Sequence, residues 1–253
     1  MIARSLIIGC GAGLTNRIQT FGVACHLAKK YHREMTAVWN NTLHCGCKWD
    51  DLFLPPIDFT MTDKYVKPDF ELVASGKISY FDSLLGGEEE VVCAGSNDIG
   101  DPSPYFDNIT RNFIPTPEIA NIIFEQKKSF QPKMLGIHVR RGDFHAVRKS
   151  AIKPLSEYLR FAKEWTKLFA GVFLCTDDGA SNSVFEGVEK QFRNELGDRV
   201  SVYSKRSLDR SISISIQDAL VDLWLLRSCN AIIGTNSSSF SRFAAIGKLS
   251  KMI

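Results

Sequence analysis

The segment Gly136-Ile137-His138-Val139-Arg140-Arg141-Gly142-Asp143 holds the most concentrated chemistry in the chain. It closes an apolar run, Met134-Leu-Gly-Ile-x-Val139, that reads as a buried strand. Strand alternation puts His138 and Arg140 on one face. Arg141-Gly142-Asp143 then leaves at the carboxyl end, where open α/β sheets bind their ligands. Two arginines there can make fork-like, charge-assisted bonds to a diphosphate. The plain alternative, a surface Arg–Asp pair, contributes little.

Two more strand ends carry polar groups. Val172-Phe-Leu-Cys-Thr176-Asp177-Asp178 ends in acids, and capping of the next helix explains either Asp equally well. Ala231-Ile-Ile-Gly-Thr235-Asn-Ser-Ser238-Ser239-Phe240 runs into hydroxyls and a helix start. Hydroxyls with backbone N–H groups can cradle a phosphate, with serine capping as the alternative. Arg, Asp and Ser at three strand ends fit recognition of a nucleoside diphosphate, without naming its base or sugar.

Near the start, Gly9, Gly11 and Gly13 separate a strand from a helix, a place suited to anions. A dinucleotide fingerprint needs a third glycine three residues after the second, where Leu14 or Asn16 stands. The next strand ends in Val38-Trp39-Asn40-Asn41, without the acid that holds a ribose. A nicotinamide cofactor is therefore disfavoured. Asn16 and Arg17 in the first helical turn can reach phosphate, ribose or acceptor, whereas a purely structural turn would need neither. His44-Cys45-Gly46-Cys47 hints at a metal, but no second pair with suitable spacing follows, so no metal site is expected. The seven cysteines read as buried free thiols.

These groups need elements to position them. Residues 4–9 read as a strand, Leu14–Lys30 as a helix and Thr36–Trp39 as a strand, a βαβ opening. Residues 40–115 are less regular, with candidate strands at 77–81 and 91–93 and an exposed turn at 86–90. From Thr116 order returns. A helix runs to about Phe130, and strands are expected at 134–139, 171–175, 200–203 and 231–233. Helices are expected at 155–169, 181–196, 215–227 and 240–247. This alternation predicts a parallel α/β architecture with two Rossmann-like lobes facing a cleft. The expected division is 1–120, which carries the glycine turn, and 121–253, which carries the Arg, Asp and Ser strand ends.

Composition narrows the classes. Of 253 residues 44% are apolar and 23% charged, which excludes a disordered chain. A net charge of +3 is too small for a general nucleic-acid binder. No run approaches the ~18 apolar residues of a membrane span, and the N-terminus lacks the apolar region of a secretory signal. A soluble, cytoplasmic protein is the expectation.

At these motifs the chain resembles the α1,2-/α1,6-/protein O-fucosyltransferase superfamily. The resemblance rests on Gly11-Ala-Gly13-Leu-Thr-Asn16-Arg17, His138-Val-Arg140-Arg141-Gly-Asp143, Thr176-Asp177-Asp178, and Asp222-Leu-Trp-Leu-Leu-Arg followed by Thr235-Asn-Ser-Ser238-Ser239-Phe240-Ser. It implies a GT-B arrangement, inverting transfer from a nucleotide-diphosphate sugar, usually GDP-fucose, to a glycan hydroxyl, and no required metal or other cofactor. By position, Arg140 would hold the β-phosphate with support from Arg141. His138 and Asp222 would contact guanine, Ser238 and Ser239 would hold phosphates, and Asn16 would reach the nucleotide from the other lobe. Gly13, Arg17, Asp177 and Phe240 fall in the same motifs. The chain departs from the family at Thr15, where many relatives have glycine, and at Arg148, where α1,6 enzymes carry a proposed base. Asp143 and His145 are then the candidate bases, ahead of Asp177. The alternatives are a transferase using another donor such as a UDP-sugar, a nicotinamide-dependent oxidoreductase, or a non-catalytic nucleotide- or glycan-binding module. Acceptor, linkage and oligomeric state are not encoded in any motif.

Overall fold

A computed structural model describes residues 4–64, 82–83, 85–86, 91–95, 100–142, 153–177 and 187–253. The chain forms two compact units, Met1–Ile119 with Asp209–Gln217, and Ala120–Leu208 with Asp218–Ile253.

The first unit is built on a four-stranded sheet of order β3-β2-β1-β4, all parallel. Its strands are β1 (Arg4–Gly9), β2 (Arg33–Val38), β3 (Thr60–Thr62) and β4 (Val91–Gly95). Helix α1 (Leu14–Lys30) joins β1 to β2 and is buried on nearly every side, at apolar Leu14, Ile18, Phe21, Val23 and Leu27 and at polar Thr15, Arg17 and Thr20 alike. The irregular stretch beyond β2 is ordered by aromatic packing. Trp39, Phe53 and Phe113 all lie against Trp49, with ring centroids 5.4, 4.8 and 5.2 Å away. Helix α2 (Phe106–Asn112), which no periodicity announces, ends in a buried Asn112 whose Oδ1 accepts the N–H groups of Ile57 and Asp58.

The segment 209–217 joins this unit and not the one expected from a linear division at residue 120. Gly46 N–H donates to Arg210 O at 2.8 Å, and Gln217 Nε2 donates to Asp51 O at 3.2 Å. Cys47 Sγ and Ser213 Oγ lie 3.0 Å apart.

The second unit carries a five-stranded parallel sheet of order β7-β6-β5-β8-β9. The strands are β5 (Met134–Val139), β6 (Gly171–Thr176), β7 (Val200–Val202), β8 (Ala231–Gly234) and β9 (Leu249–Met252). The helices along this part of the chain are α3 (Pro117–Lys127), α4 (Leu155–Trp165), α5 (Val188–Leu196), α6 (Ser213–Ser228) and α7 (Ser239–Ala245). One sheet face puts Leu135, Ile137, Val172 and Leu174 against Tyr158 and Ala162 of α4 and Phe192 of α5. Alternation turns Gly136, His138 and Cys175 to the opposite face. From β5 the chain winds outward through β6 and β7, then returns to β8 on the other side of β5. The strand order reverses between β5 and β8, and sheets of this class bind ligands beyond the carboxyl ends of the strands at such a point.

Strand β9 is absent from the sequence-based expectation. Its Leu249 is 62% exposed and it pairs only with β8, so no apolar alternation marks it. The helix expected over 181–196 is described as Val188–Leu196, and residues 178–186 lie outside the described set. The strand expected at 77–81 and most of the turn at 86–90 also lie outside it. Among the described residues no helix is long and apolar enough to cross a membrane.

Candidate functional site

Thr235, just past β8, is fully buried and ties the two strand ends together. Its hydroxyl donates to His138 O at 3.0 Å. That uses its one hydrogen, so Thr235 Oγ1 accepts from Arg140 N–H at 2.8 Å and from the Tyr158 hydroxyl at 2.8 Å. The backbone therefore leaves β5 at Arg140 in a defined direction.

The next turn is shaped by Asp177, at the end of β6. Its Oδ1 accepts the N–H groups of Arg141 at 2.7 Å and Gly142 at 3.0 Å. Its Oδ2 lies 3.1 Å from Arg140 Nε. This contact is an ion pair without hydrogen-bond alignment, since Oδ2 has no hydrogen-bond partner. A Cβ on Gly142 would stand 2.8 Å from Oδ2, so glycine admits the carboxylate to the turn. Arg140, Arg141 and Asp177 thus meet at one place, with Asp177 holding the arginine turn.

His138 is buried on the opposite side of β5 from the main core. Its Nδ1 is 2.6 Å from Ser241 Oγ, and its ring lies 4.8 Å from that of Phe240. Burial pushes its pKa down to about 3; Asp177 opposes this, while Arg140 and Lys205 add to it. His138 is therefore a neutral group, unsuited to act as a base. Ser241 Oγ also accepts Thr235 N–H at 2.9 Å. Ser238 is the N-cap of α7 and accepts Ser241 N–H at 3.4 Å, so capping is the visible role of its hydroxyl. Ser239 and Phe240 open the helix beside it.

Asp222, on α6, is buried with Oδ2 facing Lys205 Nζ at 2.8 Å and Cys175 Sγ at 3.2 Å. Its Oδ1 is buried without a hydrogen-bond partner. Burial pushes the Asp222 carboxyl up against the pull of Lys205. Burial acts to lower the Lys205 ammonium, but Asp222 outweighs it and holds it raised. Lys205 also donates to Thr176 O at 2.8 Å. Cys175 sits beside His138 in the sheet register, which brings Asp222 and His138 to the same sheet face.

Sequence reasoning missed Lys205, Thr235 and Tyr158. Lys205 lies in a polar loop without periodicity. Thr235 was visible as the first hydroxyl after Ile-Ile-Gly, but its partners come from β5 and α4.

In the first unit the glycine turn is less special than its composition suggests. Gly13 has φ −67° and ψ 171°, open to any residue, and a Cβ there would meet only His44 O at 3.6 Å. Arg17 departs from the expectation that it can reach a ligand. It is fully buried, with Nε on Ala12 O at 2.8 Å, Nη1 on Asn40 O at 2.7 Å and Nη2 on Thr42 Oγ1 at 3.0 Å. Its guanidinium also lies 4.9 Å from the Trp39 ring centre. It staples the glycine turn to the segment after β2. Asn16 is half-buried, and its amide has no hydrogen-bond partner among the described residues. Burial raises Cys45 to about 11 and Cys47 to about 12, so both are protonated thiols at neutral pH. Among the described residues no group of three His, Cys, Asp or Glu is placed to hold a metal. Asp143, His145, Arg148 and Asp178 lie outside the described residues.

No protein-family model and no curated protein sequence matches the chain. Solved structures do. The NodZ α1,6-fucosyltransferase of Bradyrhizobium, in crystals soaked with GDP-fucose, is 18% identical, over 95% of this chain and 91% of that one, with TM-score 0.65. POFUT1 in complex with GDP-fucose is 10% identical, over 100% and 98%, with TM-score 0.62. A mutant FUT1 of Arabidopsis thaliana in complex with GDP is 12% identical, over 98% and 70%, with TM-score 0.65. The chain shares the Rossmann-like α/β fold of these fucosyltransferases, as the sequence resemblance implies.

Proposed function

We propose that the chain is an inverting glycosyltransferase that moves a sugar, most simply fucose from GDP-fucose, to a glycan hydroxyl. The observation that carries this reading is the Arg140–Arg141 turn at the end of β5. It lies at the strand-order reversal, held by Thr235 from β8 and Asp177 from β6. Nucleotide diphosphates bind at such reversals, and the fold is that of proteins crystallised with GDP or GDP-fucose.

In this reading the acceptor oxygen attacks the anomeric carbon from the face opposite the diphosphate. The bond from that carbon to the diphosphate oxygen breaks, and the acceptor proton passes to a base, for which Asp143 is the candidate. Arg140, supported by Arg141, meets the charge that grows on the departing diphosphate, so it acts most strongly in the transition state. The buried Asp222 Oδ1, an acceptor without a partner, suits the N–H groups of a guanine edge, with neutral His138 on the same sheet face. Ser238, Ser239 and Phe240 would border the phosphates.

Arg140→Ala is expected to lower kcat/KM about a hundredfold, near 3 kcal/mol, and to abolish stabilisation by GDP. Melting temperatures with GDP, UDP, GDP-fucose and NAD, for wild type and variant, test this. Stabilisation by UDP alone would replace the donor, and a response only to NAD would overturn the reading.

A further inference from the structure

Asp177 is placed to do something other than contact the donor. Its Oδ1 accepts two backbone N–H groups, which hold the carboxylate beside the turn. Its Oδ2 carries charge 3.1 Å from Arg140 Nε and has no hydrogen-bond partner. The two side chains are only 18% and 21% exposed, so water screens the pair incompletely. Gly142 keeps the space beside Oδ2 clear. The result is a negative charge fixed next to a cation of the phosphate turn.

We propose that Asp177 is a built-in counter-charge to Arg140, which weakens the grip on a diphosphate and so eases departure of the leaving nucleotide. This rests on the reading of Arg140 as a diphosphate-binding residue. Asp177 acts through Arg140 and is not itself a catalytic residue. A diphosphate beside Arg140 shares that cation with the carboxylate and is repelled by it. An arginine turn without the carboxylate would bind more tightly and release more slowly.

The test is calorimetric binding of GDP, inorganic pyrophosphate and guanosine to the full chain, as wild type, Asp177→Asn and Asp177→Ser. Asparagine keeps an oxygen for the N–H groups of Arg141 and Gly142. Because Oδ2 makes no aligned hydrogen bond, its replacement by an amide chiefly removes charge. Both neutral variants are expected to bind GDP and pyrophosphate more tightly, on the order of tenfold for a unit charge at this range. Guanosine, which has no phosphate, is expected to bind unchanged. A merely structural role predicts the opposite sign, so equal or weaker diphosphate binding overturns the inference, as does loss of the fold in both variants. Wild type binding pyrophosphate but not GDP would remove the guanine-nucleotide reading and leave the counter-charge to be judged on pyrophosphate alone. Binding of neither would remove the anion site, and both statements with it.

Discussion

Thr235 Oγ1 meets partners from β5 and α4, and Thr235→Val would strand each of them. The isosteric change leaves His138 C=O, Arg140 N–H and the Tyr158 hydroxyl short of a partner in a buried place. The expected loss is about 3 kcal/mol of stability, read as a lower urea midpoint at unchanged slope. His138 gives a pH signature. Its folded pKa is about 3, against about 6.5 for the unfolded group. Between those values the unfolded chain binds one more proton. The stability tied to neutral His138 is therefore complete above pH 6.5 and declines as pH falls toward 3, by about 1.4 kcal/mol per pH unit. His138→Asn should remove that part of the acid slope. Urea unfolding of both proteins at pH 7 and pH 5 measures it, and an identical slope in the variant would contradict the buried neutral assignment.

At the scale of elements, the glycine turn, the aromatic stretch and the segment before α6 depend on one another. Arg17 fastens the turn to the residues after β2, and Gly46 fastens those residues to 209–217. A Cβ on Gly46 would overlap the Ser211 carbonyl, and backbone cannot yield as a side-chain tip does. Gly46→Ala is therefore expected to cost about 2 kcal/mol and to loosen 209–217. Limited proteolysis should then cut near Arg210 faster than in the wild type. An unchanged cleavage rate and stability would show that the segment is held by other contacts. The α6 helix continues from this segment to Asp222, so its first turn and that buried carboxylate belong to different units.

For the whole molecule, a ligand that binds only the folded chain stabilises it by mass action. GDP at a hundredfold excess over Kd should contribute ~2.7 kcal/mol, enough for a clear shift in melting temperature. Much of the two sheets and of the arginine turn is legible in the sequence. Apolar runs and helical periodicity marked β1, α1, β2, β5, β6 and β8, because burial on a sheet demands such patterns. The arginine turn was found because polar residues at the end of an apolar strand stand out. Three things were decided only by the tertiary structure. Arg17 reads as a ligand-reaching residue, but two of its three acceptors lie on Asn40 and Thr42, and no local pattern reveals a partner that folding brings near. Asp177 looked like a cap or a ligand contact, but it faces the β5 turn because β6 lies beside β5. Residues 209–217 follow the second sheet's β7 in sequence, yet pack in the first unit through Gly46 and Cys47. Alternation and periodicity report how one segment meets its own surroundings. Which distant segment supplies a hydrogen bond or a charge depends on strand order and chain crossing, which those local patterns do not encode.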